Sequence, residues 1–463
     1  MTDYIVKTNV DRKLERGLCK EELSHWTGSA TRTRSVRDRD GVASDLALFD
    51  WVGVDVYTIQ GARTGTAINT SQNSINDYAM LFLSPGTWTI SSDLTLNATT
   101  ILKIPPGAIV QVNDGVTLTI KGDVIAGRWK IFQGDGTVSL SQSPIPAQWF
   151  GALGDGTGDQ STAINNALAA LPPGGVVTLI PDKGSYFKIN APLEMPDNTG
   201  IVGPGRTRDH TIFHLSYNGP NAAIRGKDAH LSSGASTSRD LAIERISIQT
   251  IGGGGGSKVL DMSGTRDCVV RDVHLIVEAG ATSAYGLYSN YEDVSLGSYS
   301  NHIERVLITG DGIGSGTGVY LEGDSVASSY SNNAHTFYHL DIFNLDVALE
   351  IHDCKEIWVR NYWFENIHDT GIKFGDEAEL CEVRVGHLED IGDPHGSGYS
   401  VDFGDGSSQC VVHTTEDSDT AGPNFHSGSN GCRFEEQVYS AHEEAGATAG
   451  RNTRVSGDDF NRC

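Results

Sequence analysis

Residues 357–376 read IWVRNYWFENIHDTGIKFGD and hold two short apolar signals. In the first, Val359 is followed three residues later by Tyr362 and two later again by Phe364. The second is Ile372-Lys373-Phe374, closed by Gly375-Asp376. Both have an apolar period near two, the side-chain period of a β-strand. The first signal recurs as Ile243/Ile246/Ile248, Val270/Val273/Leu275, Ile303/Val306/Ile308 and Phe337/Leu340/Ile342, with a weaker copy near Val385/Leu388. The second recurs as Leu287-Tyr288-Ser289, Val319-Tyr320-Leu321, Leu349-Glu350-Ile351 and Val401-Asp402-Phe403. Copies stand 22 to 34 residues apart, and the variable remainder reads as loops. Two strand signals per period describe one coil of a solenoid. A single coil cannot bury its apolar side, so the coils must stack. Helical repeats are excluded by the period and by the wealth of Gly, Asp and β-branched residues. The chain is therefore expected to be all-β, a parallel β-helix.

Stacking turns equivalent residues into ladders, because neighbouring parallel strands lie ~4.8 Å apart. The inward ladder is Leu287, Val319, Leu349, Ile372 and Val401, and the outward one is Tyr288, Tyr320, Glu350, Lys373 and Asp402. Glycine fits the same picture: 55 of 463 residues, against a usual share of roughly 7%, suit a fold with many tight turns. The net charge of −25 argues against nucleic-acid binding, which needs a positive footprint. No apolar run reaches the ~18 residues of a membrane helix, so no membrane insertion is expected. The first residues, MTDYIVKTNVDRKLERGLCKEEL, carry no apolar signal-peptide core. Seven cysteines without a CxxC give neither a disulfide framework nor a zinc site, and Cys268, Cys354 and Cys381 read as small buried fillers. No metal or other cofactor is expected.

Four regions follow. Residues 1–50 are a charged arm with helical spacing around Val10, Leu14 and Leu18. Residues 51–148 are a small β-rich domain or the first solenoid turns. Residues 149–405 are the β-helix with an N-terminal capping helix. Residues 406–463 are a polar C-terminal cap or trimer contact. The run Gly252–Gly256 reads as a loop, since no Gly-Lys-Ser/Thr accompanies it.

Residues 149–168, WFGALGDGTGDQSTAINNAL, resemble the opening motif of the pectate-lyase-like, polygalacturonase-related β-helix superfamily, which phage tailspikes share. The matching residues are Trp149, Phe150, Gly151, Ala152, Gly154, Asp155, Gly156, Asp159, Ala163, Ile164, Ala167 and Leu168. The resemblance covers about 85–405 and implies a right-handed parallel β-helix. It also implies that a helix capped by Asp159 closes the open end of the solenoid. The motif is read as structural, with Gly-Asp-Gly as a tight turn and not a metal site. The polygalacturonase catalytic set is not carried over. There is no Asn-Thr-Asp, the single Asp-Asp is Asp458-Asp459, Gly386-His387 lacks a second Gly, and Lys373 lacks an Arg two residues before it. The layout of arm, β segment and β-helix resembles tailspikes. That resemblance implies a homotrimer in the virion tail, assembled in a bacterial cytoplasm, with residues 1–50 docking on a tail protein and a bacterial surface polysaccharide as the partner bound.

Glycoside hydrolysis needs two carboxyl groups across the scissile bond. The outward ladder offers Glu350 and Asp402, two coils or roughly 9.6 Å apart at the backbone, with Lys373 between them. Asp353 and Asp376 follow the same strands, and Asp341 and Glu365 belong to the neighbouring strand. Tyr288, Tyr320, Lys373 and Trp363 are the expected sugar contacts. The plainer reading of Glu350, Lys373 and Asp402 is ordinary cross-strand charge pairing. Two alternatives stay open beside the tailspike hydrolase. One is a polysaccharide lyase or glycosidase of bacterial origin, for which the histidines at 335–395 offer a base. The other is a non-catalytic adhesin or tail structural rod.

Overall fold

The computed structural model describes residues 55–437 except 60–61, 74–77, 183–184, 207–212, 217–221, 231–235, 252–256, 278–283, 292–296, 313–315, 325–331, 393–397 and 417–421, together with the backbone of strands Thr33–Arg37, Ala43–Ala47 and Asn452–Ser456. The helical spacing at Val10–Leu18, the Gly252–Gly256 run, Cys19, Cys463 and Asp458-Asp459 lie outside the described residues. Two compact units are present, Met1–Ser143 with Gln148–Gly151, and Pro144–Ala147 with Ala152–Cys463. Among the described residues no helix is long and apolar enough to cross a membrane.

The first unit contains three parallel ladders. Asp55–Thr58, Ala79–Phe82, Thr100–Lys103 and Val124–Ile125 form one; Gly86–Ile90, Ala108–Val112 and Phe132–Gln133 the next; Leu94–Leu96, Thr117–Ile120 and Thr137–Leu140 the third. Alternation along each strand sends Leu81, Leu102 and Val124, then Trp88, Val110 and Phe132, then Leu96, Ile120 and Leu140 inward in register.

The second unit is a parallel β-helix with four faces. Face A begins with Gly175–Thr178, Thr199–Val202, Ala242–Glu244 and Val269–Arg271. Face B begins with Phe187–Ile189, Phe213–Ser216, Ser247–Ile251 and His274–Ile276. Both continue through His302–Thr309, Thr336–His352, Trp358–Phe374, Glu382–Ile391 and Val411–Glu416. Face C runs through Leu193–Met195, Ala222–Gly226, Lys258–Asp261, Tyr285–Asn290, Thr317–Glu322, the ends of the two 17-residue strands, Tyr399–Phe403 and Asn424–Phe425. Face D is short, from Ser238–Arg239 to Cys354–Lys355. Face A continues past residue 405 to Arg433–Gln437, whose outer edge pairs antiparallel with Asn452–Ser456.

The predicted inward column Leu287, Val319, Leu349, Ile372 and Val401 lies in register and buried on face C. A parallel column fills face A, from Ile243 through Val270, Ile303, Phe337, Val359, Val383 and Val412 to Phe434. The weak sixth copy needs correcting. Val383, Gly386 and Leu388 occupy the column positions, opposite Val359, Tyr362 and Phe364, whereas Val385 stands at a corner and is exposed. The apolar rhythm fails there because glycine holds the middle position. A Cβ on Gly386 would come within 2.2 Å of the Tyr362 ring, so only glycine lets that ring lie across the coil.

Corners explain the variable coil length. Each turn from face A to face B between residues 245 and 385 is made by one left-handed residue: Arg245, Asp272, Arg305, His339, Asn361 and Val385. Asp240, Asp267, Ser300, Ala334, Glu356, Leu380 and Gln409 do the same between faces D and A. Over these coils length therefore varies only between faces B and C and between C and D. After each D-to-A corner the chain places a buried residue inward: Leu241, Cys268, Asn301, His335, Ile357, Cys381, Cys410 and Cys432. Inside the stack Ser289 Oγ donates to Asn332 Oδ1, Asn332 Nδ2 donates to the Ser289 carbonyl, Asn301 Nδ2 donates to Thr265 Oγ1, and the Asn301 N–H donates to His335 Nδ1.

The opening motif behaves as a structural element. Gly154, Gly156 and Gly158 all have positive φ, and Asp155 accepts from the Thr157 N–H and hydroxyl. Asp159 stands one residue before the helix-capping position, which Gln160 holds, and accepts from the Ser161 N–H and Oγ and from the Asn190 N–H. Helix Ser161–Ala169 buries Ile164, Ala167 and Leu168, and Asn165 ties it to both sides of the first face C strand through Pro192 O and the Glu194 N–H.

Candidate functional site

Face C carries the predicted outward line, in register as Asp261, Tyr288, Tyr320, Glu350, Lys373, Asp402 and Asn424. Its members are closely engaged with one another. Glu350 Oε1 takes hydrogen bonds from Lys373 Nζ at 2.7 Å and His352 Nε2 at 2.8 Å. Burial works against its charge, but those two partners outweigh it and hold the carboxyl below its ordinary range. Asp402 Oδ1 accepts from Asn424 Nδ2 at 2.7 Å and lies 3.1 Å from His426 Nε2. Tyr288 is buried, stacked on Tyr320 at 5.4 Å with Lys258 Nζ 3.6 Å from its ring centroid. Its faces are thus occupied, and the Tyr320 hydroxyl donates a hydrogen bond to Glu322 Oε2 at 2.7 Å. Asp376 is exposed. Asp353 is buried at a left-handed corner, and burial, reinforced by Glu377, pushes its carboxyl up to about 6.

Face B presents a different surface. Asp341, Trp363, His387 and Thr415 face outward on four successive coils, with Phe343, Glu365 and Glu389 two residues further along. Here the side of the helix opens into a groove of about 430 Å³, lined by His339, Asp341, Tyr362, Trp363, Val385 and His387 among others. Gly386 makes room for it, since Tyr362 lies flat where a side chain would stand. Trp363 is 46% exposed, with Phe343 on one side and the edge of His387 at 5.9 Å on the other. His387 Nδ1 lies 2.9 Å from Thr415 Oγ1, and Nε2 lies 3.3 Å from Glu389.

Two carboxyl groups flank Trp363. Burial raises the Asp341 carboxyl above its ordinary range, against the pull of Arg206 and His339. Burial also raises Glu365, helped by the charges of Glu389 and Asp390. Asp341 and Glu365 are one strand and two residues apart, about 8 Å at the backbone for strands ~4.8 Å apart rising ~3.3 Å per residue.

Of the sequence-derived candidates, the structure thus brings Asp341, Glu365 and Trp363 together on face B. It gathers Glu350, Lys373, Asp402, Tyr288, Tyr320 and Asp353 along face C. Sequence reasoning counted His339, His352 and His387 only among the histidines at 335–395 that offer a base, without placing them beside Trp363 or Glu350, and it missed Val385 in the groove and Glu389 beside His387. The signal for His387 and Glu389 was available, because register with Trp363 and Glu365 fixes their direction once the column is started from Val383 rather than Val385.

No protein-family model matches the chain, and no curated protein matches it. Among solved structures it is similar to ORF18 of Geobacillus virus E2, with 16% identity and TM-score 0.43 over 64% of this chain and 61% of that one. It is also similar to the A-module of the mannuronan C-5 epimerase AlgE6 of Azotobacter vinelandii, with 13% identity and TM-score 0.29 over 62% of this chain and 98% of that one. PfbA, a surface adhesin of Streptococcus pneumoniae, matches with 10% identity and TM-score 0.33 over 64% of this chain and 90% of that one. The chain spans 61% of the length of the phage protein. The likeness is one of fold.

Proposed function

We propose that the chain is a tailspike-type protein that binds a bacterial surface polysaccharide and hydrolyses it in the face B groove. One observation carries the reading: an exposed tryptophan stands in an open groove with the Asp341 carboxyl in its lining and the Glu365 carboxyl two residues along its own strand, and burial opposes the ionisation of both. A sugar ring lies with its C–H face on Trp363. Asp341 serves as the general acid that protonates the glycosidic oxygen, and Glu365 as the base that takes a proton from water. A backbone separation of about 8 Å lets the carboxyl groups stand at the ~6.5–9.5 Å of an inverting hydrolase. The Glu350–Lys373–Asp402 line is the second choice, because its carboxylates already have partners.

The test is release of reducing ends from surface glycans of candidate hosts, with ultraviolet absorbance read in the same samples. Asp341→Asn and Glu365→Gln should each lower release by roughly 10²–10⁴-fold while the fold is retained. Glu350→Gln and Asp402→Asn should leave most of it. The reverse pattern moves the site to face C. A rise in absorbance with each cleavage, the mark of a new C=C, replaces the hydrolase with a lyase. Glycan binding without any cleavage leaves an adhesin.

A further inference from the structure

Val385 is out of keeping with the other corners. The six corner residues between faces A and B have φ between 52° and 57°, and the other five are Arg, Asp, Arg, His and Asn. Asn, Asp and His accept the left-handed region with least cost, because their polar side chains bond locally. A β-branched residue is the least suited to it. Burial does not offset the strain, since Val385 is 63% exposed. It also stands in the groove lining, on the coil after Trp363. Tyr338, next to the corner residue of the first groove coil, is exposed as well, in line with the exposed Arg360 and Arg384 of the following coils. A strained, exposed residue that no burial among the described residues favours points to a contact outside.

Resting on the glycan reading of this groove, we infer that Val385 determines specificity by meeting a methyl group on the bound sugar, as a 6-deoxyhexose or an N- or O-acetylated sugar carries. The ring's C–H face is taken by Trp363. A hydroxyl turned toward Val385 would lose its water and gain no hydrogen bond. What a small, convex pair of methyls can hold is another methyl.

Two variants test this. Val385→Asn suits the left-handed corner and removes both methyls. Val385→Thr keeps the shape and the strain and exchanges one methyl for a hydroxyl. The probes are chitotetraose against cellotetraose by calorimetry, and methyl α-L-fucoside against methyl α-L-galactoside by saturation-transfer NMR. The first pair isolates an acetyl group and the second a 6-deoxy group. Wild type should favour the methyl-bearing member of at least one pair. Both variants should lose that preference by roughly tenfold, the size of a one-methylene contact. The thermal midpoint of Val385→Asn should be unchanged or higher, which separates the loss from misfolding. No preference in wild type, or the same preference in both variants, overturns the inference. Preference without release of reducing ends sinks the hydrolase and leaves the contact standing, whereas release without preference does the reverse.

Discussion

Asp353 shows how one side chain can tie stability to pH. Its carboxyl is buried, one oxygen has no hydrogen-bond partner among the described residues, and Glu377, Glu322 and Asp376 are the like charges around it. The folded form therefore holds the proton up to about 6, against a usual value of 3.8. A raised carboxyl stabilises the fold fully below its unfolded value, and that contribution is lost as pH climbs through the folded one. Stability should thus fall between about pH 4 and pH 7 by up to about 3 kcal/mol. Asp353→Asn should flatten this slope and raise the urea midpoint at pH 8. An unchanged slope in the variant would assign the dependence to other groups. At the proposed site both carboxyls are also raised, so the pH–rate profile should have its acidic limb, set by Glu365, and its basic limb, set by Asp341, displaced upward from free carboxyl values. Glu365→Asp and loss of Glu389 should move the acidic limb alone.

At the scale of elements, strands and columns were legible in the chain and corners were not. Apolar spacing located Val359, Tyr362 and Phe364 correctly, because alternation on a half-buried strand is a direct consequence of geometry. The corners depend on backbone conformation, and their residues are chemically mixed: Asn361 and Asn366 are the expected types, but Val385, Leu380 and Arg305 are not. The candidate site suffered for the same reason. The outward line of face C could be written down from the second signal alone. The groove needed the register of Gly386, and a glycine carries no apolar signal to count. Two changes test this account of the elements. Asn366→Gly should be nearly neutral, whereas Asn366→Val should cost about 1–2 kcal/mol for placing a Cβ-branched residue at φ 54°. Phe403→Ala should cost about 3–5 kcal/mol, because Phe403 is buried between Phe374 and Phe425 in one stack. Chemical denaturation of each purified variant measures both.

On the scale of the whole molecule, each coil of the second unit packs on its neighbours alone, so stability is close to a sum over adjacent coils. Tailspike-type assembly adds a prediction about association. A stable trimer is expected by sedimentation at micromolar concentration, and a monomer there would remove the tailspike part of the proposal while leaving the groove chemistry to its own test.

The one-residue corners have a consequence for how such a chain can diversify. Because the A-to-B corners between residues 245 and 385 and the D-to-A corners between 240 and 409 are single residues, the coils within these limits enter face A and face B at the same phase, whatever was inserted elsewhere. Crossovers between related genes that fall at these corners would join coils in frame with the stack. The variable stretches between faces B and C and between C and D are then exchangeable parts on a fixed chassis. Host preference could shift by trading those parts, and the columns of the core would not need to be redesigned.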